Sequence, residues 1–261
     1  MKKRFGRLST IILSGIVIGG LLSPNIADAS KSNEVNQDFI LPSITYKHDE
    51  KQAPMKFNGQ IRKIAYLTID DGPSRYSDKL IDILNQYKVP ATFFLIGSNV
   101  DLYPQYVKQF HERGDYVGMH SMTHDYNKLY KKGEVVSEMK QVQQKIHALT
   151  NETPILFRSP YGSNPGLTKN LRDQVVKAGL KTWDWSIDSN DWRYQKNPPQ
   201  IVAEIKKQLK RPVEIILIHD KKGTIEALPQ IIETIQAAGY EFDVYDESKH
   251  FMVNFTKDDR L

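Results

Sequence analysis

From residue 61 onward, the sequence alternates between short apolar runs and longer segments whose apolar residues recur at helical spacing. The runs have the length of buried strands, and the segments between them are long enough for helices. The predicted strands are residues 64–69, 91–96, 116–119, 155–157, 180–185, 213–218 and 240–244. Strands joined through helices run parallel in one sheet, because each helix carries the chain back across the sheet.

This alternation predicts an α/β fold with about seven parallel strands within roughly 190 residues, enough for one domain with a sizeable core. A distorted or incomplete (β/α) barrel fits the strand count. A doubly wound open sheet is the structural alternative. Residues 30–60 are polar and lack sustained periodicity, so we interpret them as a linker or N-terminal extension. The domain is predicted to span residues 61–245, followed by a C-terminal tail at 246–261.

The first 29 residues have the three parts of a secretory signal peptide. A basic segment precedes the apolar stretch 11–22, and Ala27-Asp28-Ala29 then matches the A-x-A cleavage pattern. The apolar stretch is shorter than the ~20 residues of a membrane-spanning helix. We therefore predict cleavage after Ala29 and a secreted protein, with membrane association only if the segment stays uncleaved. The chain contains no cysteine, so stability outside the cell must come from the core without disulfides.

The formal net charge is +5, but residues 1–29 hold four Lys/Arg and one Asp and so contribute +3 of it. The remaining chain therefore carries +2. This mild charge gives no indication of nucleic-acid binding, and it fits a protein that works beside an anionic cell wall.

Unusual polar clusters follow five of the predicted strands. They are Asp70–Asp71 after the first strand, His120–His124 after the third, Arg158–Gly162 after the fourth, Asp188–Trp192 after the fifth and His219–Asp220 at the end of the sixth. The carboxyl ends of parallel strands open on one face, where active sites of such folds are built. We therefore expect the five clusters to converge.

Two imidazoles and one carboxylate are a common ligand set for a catalytic divalent metal. His120 and His124, with one of Asp70 and Asp71, supply that set. The histidine spacing alone is weak evidence, because such pairs also occur on ordinary helices, and the helical HExxH arrangement is absent. Each cluster also has an ordinary interpretation by itself: a solvated Asp-Gly turn, or a satisfied core histidine at His219.

Together the clusters resemble the five motifs of the polysaccharide deacetylase family, the NodB-homology domain of carbohydrate esterase family 4. This chain carries them in the family's order as Thr-Ile-Asp-Asp-Gly-Pro, His-Ser-Met-Thr-His, Arg-Ser-Pro-Tyr-Gly, Asp-Ser-Asn-Asp-Trp and Leu-Ile-His-Asp. The resemblance covers about residues 61–245 and is highly specific as a set. Ile69 stands where phenylalanine is usual, which is a packing change, and no catalytic position is missing.

The resemblance implies that Asp71, His120 and His124 hold Zn²⁺, with Co²⁺ or another divalent ion as alternatives. Such an ion polarises the acetyl carbonyl and lowers the pKa of bound water. Asp70 would be the general base, and Arg158 would keep it ionised and in place.

For the other motifs the resemblance implies that His219 is the general acid that protonates the leaving amine, supported as imidazolium by Asp191. The backbone N–H of Tyr161 would stabilise the tetrahedral oxyanion. Tyr161 and Trp192 would contact the substrate, with Trp192 as a wall against the acetyl methyl. Pro160 matches a proline that is hydroxylated in some members of the family.

The implied activity is that of a secreted, metal-dependent enzyme that removes acetyl from N-acetylglucosamine of peptidoglycan and releases acetate. Chitooligosaccharides and O-acetylated xylan are alternative substrates. A non-catalytic wall glycan-binding protein on the same fold is the alternative of another class, and the complete motif set argues against it.

Overall fold

The structure is a computed structural model that describes residues 56–57 and 59–261. The predicted signal peptide and most of the segment 30–60 lie outside the described residues. Within the described part of the chain, no helix combines the length and apolar character that a membrane crossing requires.

The strands are β1 (Lys56–Phe57), β2 (Gln60–Ile61), β3 (Lys63–Gly72), β4 (Thr92–Leu95), β5 (Tyr116–Met119), β6 (Leu156–Phe157), β7 (Lys181–Thr182), β8 (Ile187–Asp188), β9 (Val213–His219) and β10 (Tyr240–Asp243). The α-helices are α1 (Ser77–Tyr87), α2 (Gly97–Leu102), α3 (Pro104–Glu112), α4 (Val135–Thr150), α5 (Lys169–Lys177), α6 (Asp191–Tyr194), α7 (Pro198–Gln208) and α8 (Lys222–Ala237). A π-helical turn spans Asn127–Lys131, and a 3₁₀ turn spans Glu247–Lys249.

Strands β3 to β10 form one parallel sheet of eight strands. Seven follow the order β7-β6-β5-β4-β3-β9-β8, and β10 pairs with the first half of β3, whose second half pairs with β4. β1 and β2 pair antiparallel in a separate hairpin. The predicted distorted (β/α) barrel is confirmed, and the open-sheet alternative does not apply.

The two edge strands of the sheet, β7 and β8, are joined by only a few residues. The connecting residues bond to the strands next to these edges: Trp183 N donates to Phe157 O of β6 (3.1 Å), and Ser186 N donates to Ile215 O of β9 (2.9 Å). The sheet therefore curls into an incomplete barrel. The prediction of one strand over 180–185 is wrong in part, because the chain crosses this gap and the fourth polar cluster follows the separate strand β8. A strand of two residues is too short to show a period in the sequence.

The alternation of β3 separates two cores. Ala65, Leu67 and Ile69 are fully buried in the larger cluster, which the helices share. Tyr66 packs in a smaller cluster with Trp183, among aromatic and apolar side chains of other strands. Because side chains alternate along a strand, Thr68 and Asp70 share the face of Tyr66.

The C-terminal residues 246–261, predicted as a tail, pack against the domain. Val253 forms a parallel bridge with Trp183, and Phe251 lies 4.8 Å from the Trp183 ring. Arg172 of α5 donates to Asp258 (2.8 Å), and Leu261 is fully buried. This segment therefore lies beside the gap between the two sheet edges.

Candidate active site

The two adjacent carboxylates lie at the end of β3, where its pairing with β4 becomes irregular. The register shifts between Asp70 and Gly72, and Asp71 has a φ of 67°. Such a bulge re-aims side chains. Asp70 Oδ2 is 3.7 Å and Asp71 Oδ1 is 3.6 Å from Nε2 of His120, so both acids face the same imidazole.

The two histidines of the second motif lie on a loop after β5. Nδ1 of His120 is 2.8 Å from the carbonyl oxygen of Arg158, so Nδ1 carries the proton and the lone pair is on Nε2. His124 has a φ of 55°, and its backbone N donates to Ser121 Oγ (2.9 Å). The buried Glu138 of α4 accepts the backbone N–H groups of residues 122 and 123 (3.0 Å each) and so fixes this loop.

Asp71, His120 and His124 offer donor atoms that all lie within 4.8 Å of one another. Asp71 Oδ1 is buried and, in the described part of the chain, accepts no hydrogen bond. A carboxylate oxygen with free lone pairs facing two imidazole nitrogens is a donor set that fits a divalent cation. The three residues predicted as metal ligands are thus brought together.

The protonation states also suit metal binding. Burial, followed by the electrostatic effect of His120, lowers the pKa of His124 to about 4, so its imidazole is neutral at neutral pH. Burial acts to raise the pKa of Asp71, but electrostatic interactions with His120, His219 and Lys221 outweigh it and lower that pKa to about 2. Ligands must be deprotonated to bind a metal, and both side chains meet that condition.

Asp70 forms a fully buried ion pair with Arg158. Nη1 of Arg158 is 2.9 Å from Asp70 Oδ1 and 2.6 Å from Thr68 Oγ1. The guanidinium also donates to the carbonyl oxygens of Trp183 and Asp184 (2.9 Å each). A buried cation held by this many partners is fixed in place, and its bond fixes the Asp70 carboxylate in turn.

His219 ends β9 directly beside Asp70 in the sheet register. Its Nδ1 is 2.7 Å from Asp191 Oδ1, while Asp191 Oδ2 accepts from His219 N (2.7 Å) and Thr224 Oγ1 (2.6 Å). Burial acts to lower the pKa of His219, but the bond to Asp191 outweighs it, so the pKa is raised.

Tyr161 and Trp192 are the exposed aromatic residues of the third and fourth motifs, at 59% and 57% exposure. Tyr161 has a φ of 67°, its hydroxyl donates to the His124 carbonyl (3.0 Å), and its ring lies 4.7 Å from the His124 ring. Trp192 follows Asp191 at the start of α6. Both side chains are accessible to a ligand.

Sequence reasoning assigned no role to several residues that touch the site. Lys221 Nζ lies 2.9 Å from Asp71 Oδ2, and Asn99 Nδ2 donates to the Asp71 carbonyl (2.8 Å). Asp220 accepts from Ser74 N (3.0 Å) and Ser77 Oγ (2.5 Å), which ties the turn after Asp71 to the end of β9. Lys221 is next to the last motif in sequence, but only the register of β3 with β9 reveals its partner.

Comparison with known proteins agrees with this geometry. Residues 58–183 match the family described as polysaccharide deacetylase. A peptidoglycan-N-acetylglucosamine deacetylase of Bacillus cereus is 44% identical over 262 residues, which cover 96% of this chain and 95% of that protein. The chain belongs to the polysaccharide deacetylase family. The resemblance predicted from the five motifs is confirmed.

Two further relatives show the breadth of this family. The crystal structure of a Bacillus cereus polysaccharide deacetylase matches with a TM-score of 0.75 and 48% identity, covering 77% of this chain and 100% of that one. A chitooligosaccharide deacetylase of a Bradyrhizobium species is 32% identical and covers 67% of this chain and 86% of that protein. Family membership supports a deacetylase, a hydrolase of the amide-cleaving kind.

Proposed function

We propose that the protein is a secreted, metal-dependent deacetylase that removes acetyl from N-acetylglucosamine of peptidoglycan and releases acetate. The observation that carries the proposal is the pair of hydrogen-bonded couples, Asp70–Arg158 and His219–Asp191, on adjacent strands beside the metal-ligand set. The relative at 44% identity along nearly its whole length is named for this substrate.

Asp71, His120 and His124 would hold the cation, which when bound acts as a Lewis acid toward the acetyl carbonyl and makes water a better nucleophile. Asp70 accepts the proton of the attacking water. Arg158 holds the Asp70 carboxylate in place for that step.

His219 then donates a proton to the leaving amine nitrogen. Its raised pKa favours the protonated form, and Asp191 stabilises the imidazolium. The backbone N–H of Tyr161 donates to the oxyanion of the tetrahedral intermediate. Trp192 covers the acetyl methyl. Acetate and a glucosamine amine leave the site.

The experiment that tests this proposal is mass spectrometry of purified muropeptides, chitooligosaccharides and acetylxylan after incubation with the protein and Zn²⁺ or Co²⁺. We expect an acetyl-sized mass loss from the muropeptides. Readier loss from chitooligosaccharides or xylan, with peptidoglycan untouched, would reassign the substrate while leaving the deacetylase intact. Loss from none of them would favour a non-catalytic glycan-binding protein.

The expected effect in the cell follows from the change in the charge of the wall. Free amines make the wall more cationic, and muramidases that grip the acetamide bind it less well. A strain without the protein should have fewer deacetylated muropeptides and be more sensitive to lysozyme. N-terminal sequencing of protein collected outside the cells tests secretion, and a mature chain beginning at Ser30 is expected.

A further inference from the structure

The exposed aromatic side chains of the domain are few. Among residues 59–261, three aromatic side chains are exposed: Tyr161 (59%), Trp192 (57%) and Phe255 (44%). The first two belong to the motifs of the active site. Phe255 lies in the C-terminal segment, outside every motif. An exposed apolar surface next to an active site is a feature of ligand-binding grooves.

Phe255 contacts the loop of the third motif. Gly162, directly after Tyr161, has a φ of 83°, and a Cβ at this position would lie 3.2 Å from the Phe255 ring and 3.4 Å from the Trp185 ring. Glycine therefore lets the loop backbone lie against both rings. The Trp185 and Phe255 rings pack edge to face, with centroids 5.0 Å apart. The guanidinium of Arg158 lies 5.8 Å from the Trp185 ring, so Trp185 is near the buried Asp70–Arg158 ion pair of the active site.

Hydrogen bonds hold Phe255 in this position. Its backbone N donates to Asp184 Oδ2 (2.6 Å) and Ser163 Oγ (3.1 Å). The buried Asp184 also accepts from Ser163 N (2.8 Å), and its carbonyl accepts from Arg158 Nη2 (2.9 Å). The Phe255 ring is thus fixed to the same framework as the catalytic ion pair, so little conformational freedom is lost when a ligand covers it.

We propose that Phe255, supported by Trp185, is a stacking platform for a sugar ring of the polysaccharide, further along the chain from the ring that loses its acetyl group. This inference rests on the proposed function. Sugar rings present C–H faces with slight positive charge, which suit the negative face of an aromatic ring. A polymeric substrate continues beyond the reacting ring, and the platform adjoins the Tyr161–Gly162 loop where it would pass. Only long oligosaccharides reach the platform, so the binding energy gained there raises kcat/KM for long substrates and not for short ones.

The test is the rate of acetate release by the metal-loaded protein from the di- and hexasaccharides of β-1,4-linked N-acetylglucosamine. For Phe255→Ala we expect kcat/KM on the hexasaccharide to fall about 10-fold, mainly through KM, the scale of one lost aromatic contact. The disaccharide rate should stay unchanged. Phe255→Trp should restore the hexasaccharide rate. Met252→Ala is the matched control, since Met252 is 46% exposed in the same segment and should alter neither rate.

Equal losses on both oligomers would overturn the proposal in favour of a structural role, and no loss on either would overturn it outright. If Phe255→Ala does not fold, Phe255→Leu keeps an apolar side chain without the aromatic face. Calorimetry measures how tightly the wild type and the variant bind the hexasaccharide. It therefore tests the stacking platform separately from the proposed deacetylase activity. If the wild type releases acetate from neither these oligosaccharides nor muropeptides, the proposed function fails. Weaker hexasaccharide binding by the variant would still support the platform, and equal binding would contradict it.

Discussion

Two aspartates at opposite ends of the parallel strands show how one residue type serves structure at one end and chemistry at the other. Asp115, just before β5, uses both carboxylate oxygens: Oδ1 accepts from Ala91 N (2.9 Å) and Oδ2 from Arg113 Nε (2.8 Å). Asp71, at the end of β3, is also largely buried, yet its Oδ1 accepts no hydrogen bond within the described residues.

Their pKa values diverge accordingly. Burial raises the pKa of Asp115 to about 6, despite the opposing charge of Arg113. At Asp71, burial is outweighed by several positive charges, and the pKa is lowered to about 2. A carboxylate that stays ionised with a free oxygen can bind a cation, whereas one whose oxygens are both bonded serves to hold the fold together.

The largest expected effect is loss of the metal with its ligands. His120→Ala and His124→Ala should each lose tightly bound metal and activity together, because each removes one ligand from a set of three. Elemental analysis of the purified variants measures the metal. Asp115→Asn is the control at the other end of the strands and should keep the wild-type metal content. Unchanged metal in both histidine variants would remove the ligand assignment.

A smaller effect is expected from Asp191→Asn, which keeps the shape of the His219 couple but removes its charge. Turnover should fall by about 10²-fold, the scale of general acid catalysis. Asp191 raises the pKa of His219, so His219 stays protonated to higher pH in the wild type. The variant's alkaline limb of kcat/KM should therefore move to lower pH. A limb that stays in place would show that another group sets it.

The smallest effect on activity is expected at Asp115. Asp115→Asn replaces one acceptor oxygen with an NH2 group, so either Ala91 N or Arg113 Nε loses its acceptor, which should cost about 2 kcal/mol of unfolding free energy. Turnover per folded molecule should not change. Denaturant unfolding and the acetate assay measure the two quantities.

The pH dependence of that stability difference has a definite sign. The folded pKa of Asp115, about 6, lies above its ordinary value of 3.8, so the folded state binds the proton more tightly. The contribution of Asp115 to stability is therefore greatest below its ordinary pKa and declines as pH rises through the folded value. The advantage of the wild type over Asp115→Asn should shrink between pH 4 and 6. A constant or growing advantage would contradict this assignment.

Much of this molecule could be predicted from its sequence, since the signals are local. The periodicity of the apolar residues predicted the parallel barrel. The position of the polar clusters directly after the predicted strands indicated which polar groups converge. Strand β8 could not be predicted, because Ile187 and Asp188 are too few residues to show a period. Phe255 was missed for a different reason: its partners Ser163 and Asp184 lie 92 and 71 residues away in sequence.

The roles of the residues in the site follow from tertiary contacts, which cannot be read from residue spacing in the sequence. The sequence places Asp70 and Asp71 side by side but cannot divide their tasks without the family resemblance. The structure gives Asp70 a buried guanidinium at 2.9 Å, whereas Asp71 Oδ1 accepts no hydrogen bond from any residue that the structure describes. The φ of 67° at Asp71 breaks the strand alternation, so the two neighbours face the same imidazole although their other partners differ.

The division of labour between these two neighbours is therefore the central claim, and one paired measurement tests it most directly. Metal content and turnover are determined on the same preparations of Asp70→Asn and Asp71→Asn. We expect Asp70→Asn to keep its metal while turnover falls by ~10²-fold or more, because an amide cannot accept the proton. Asp71→Asn should lose the metal. Equal metal content in the two variants would contradict the account.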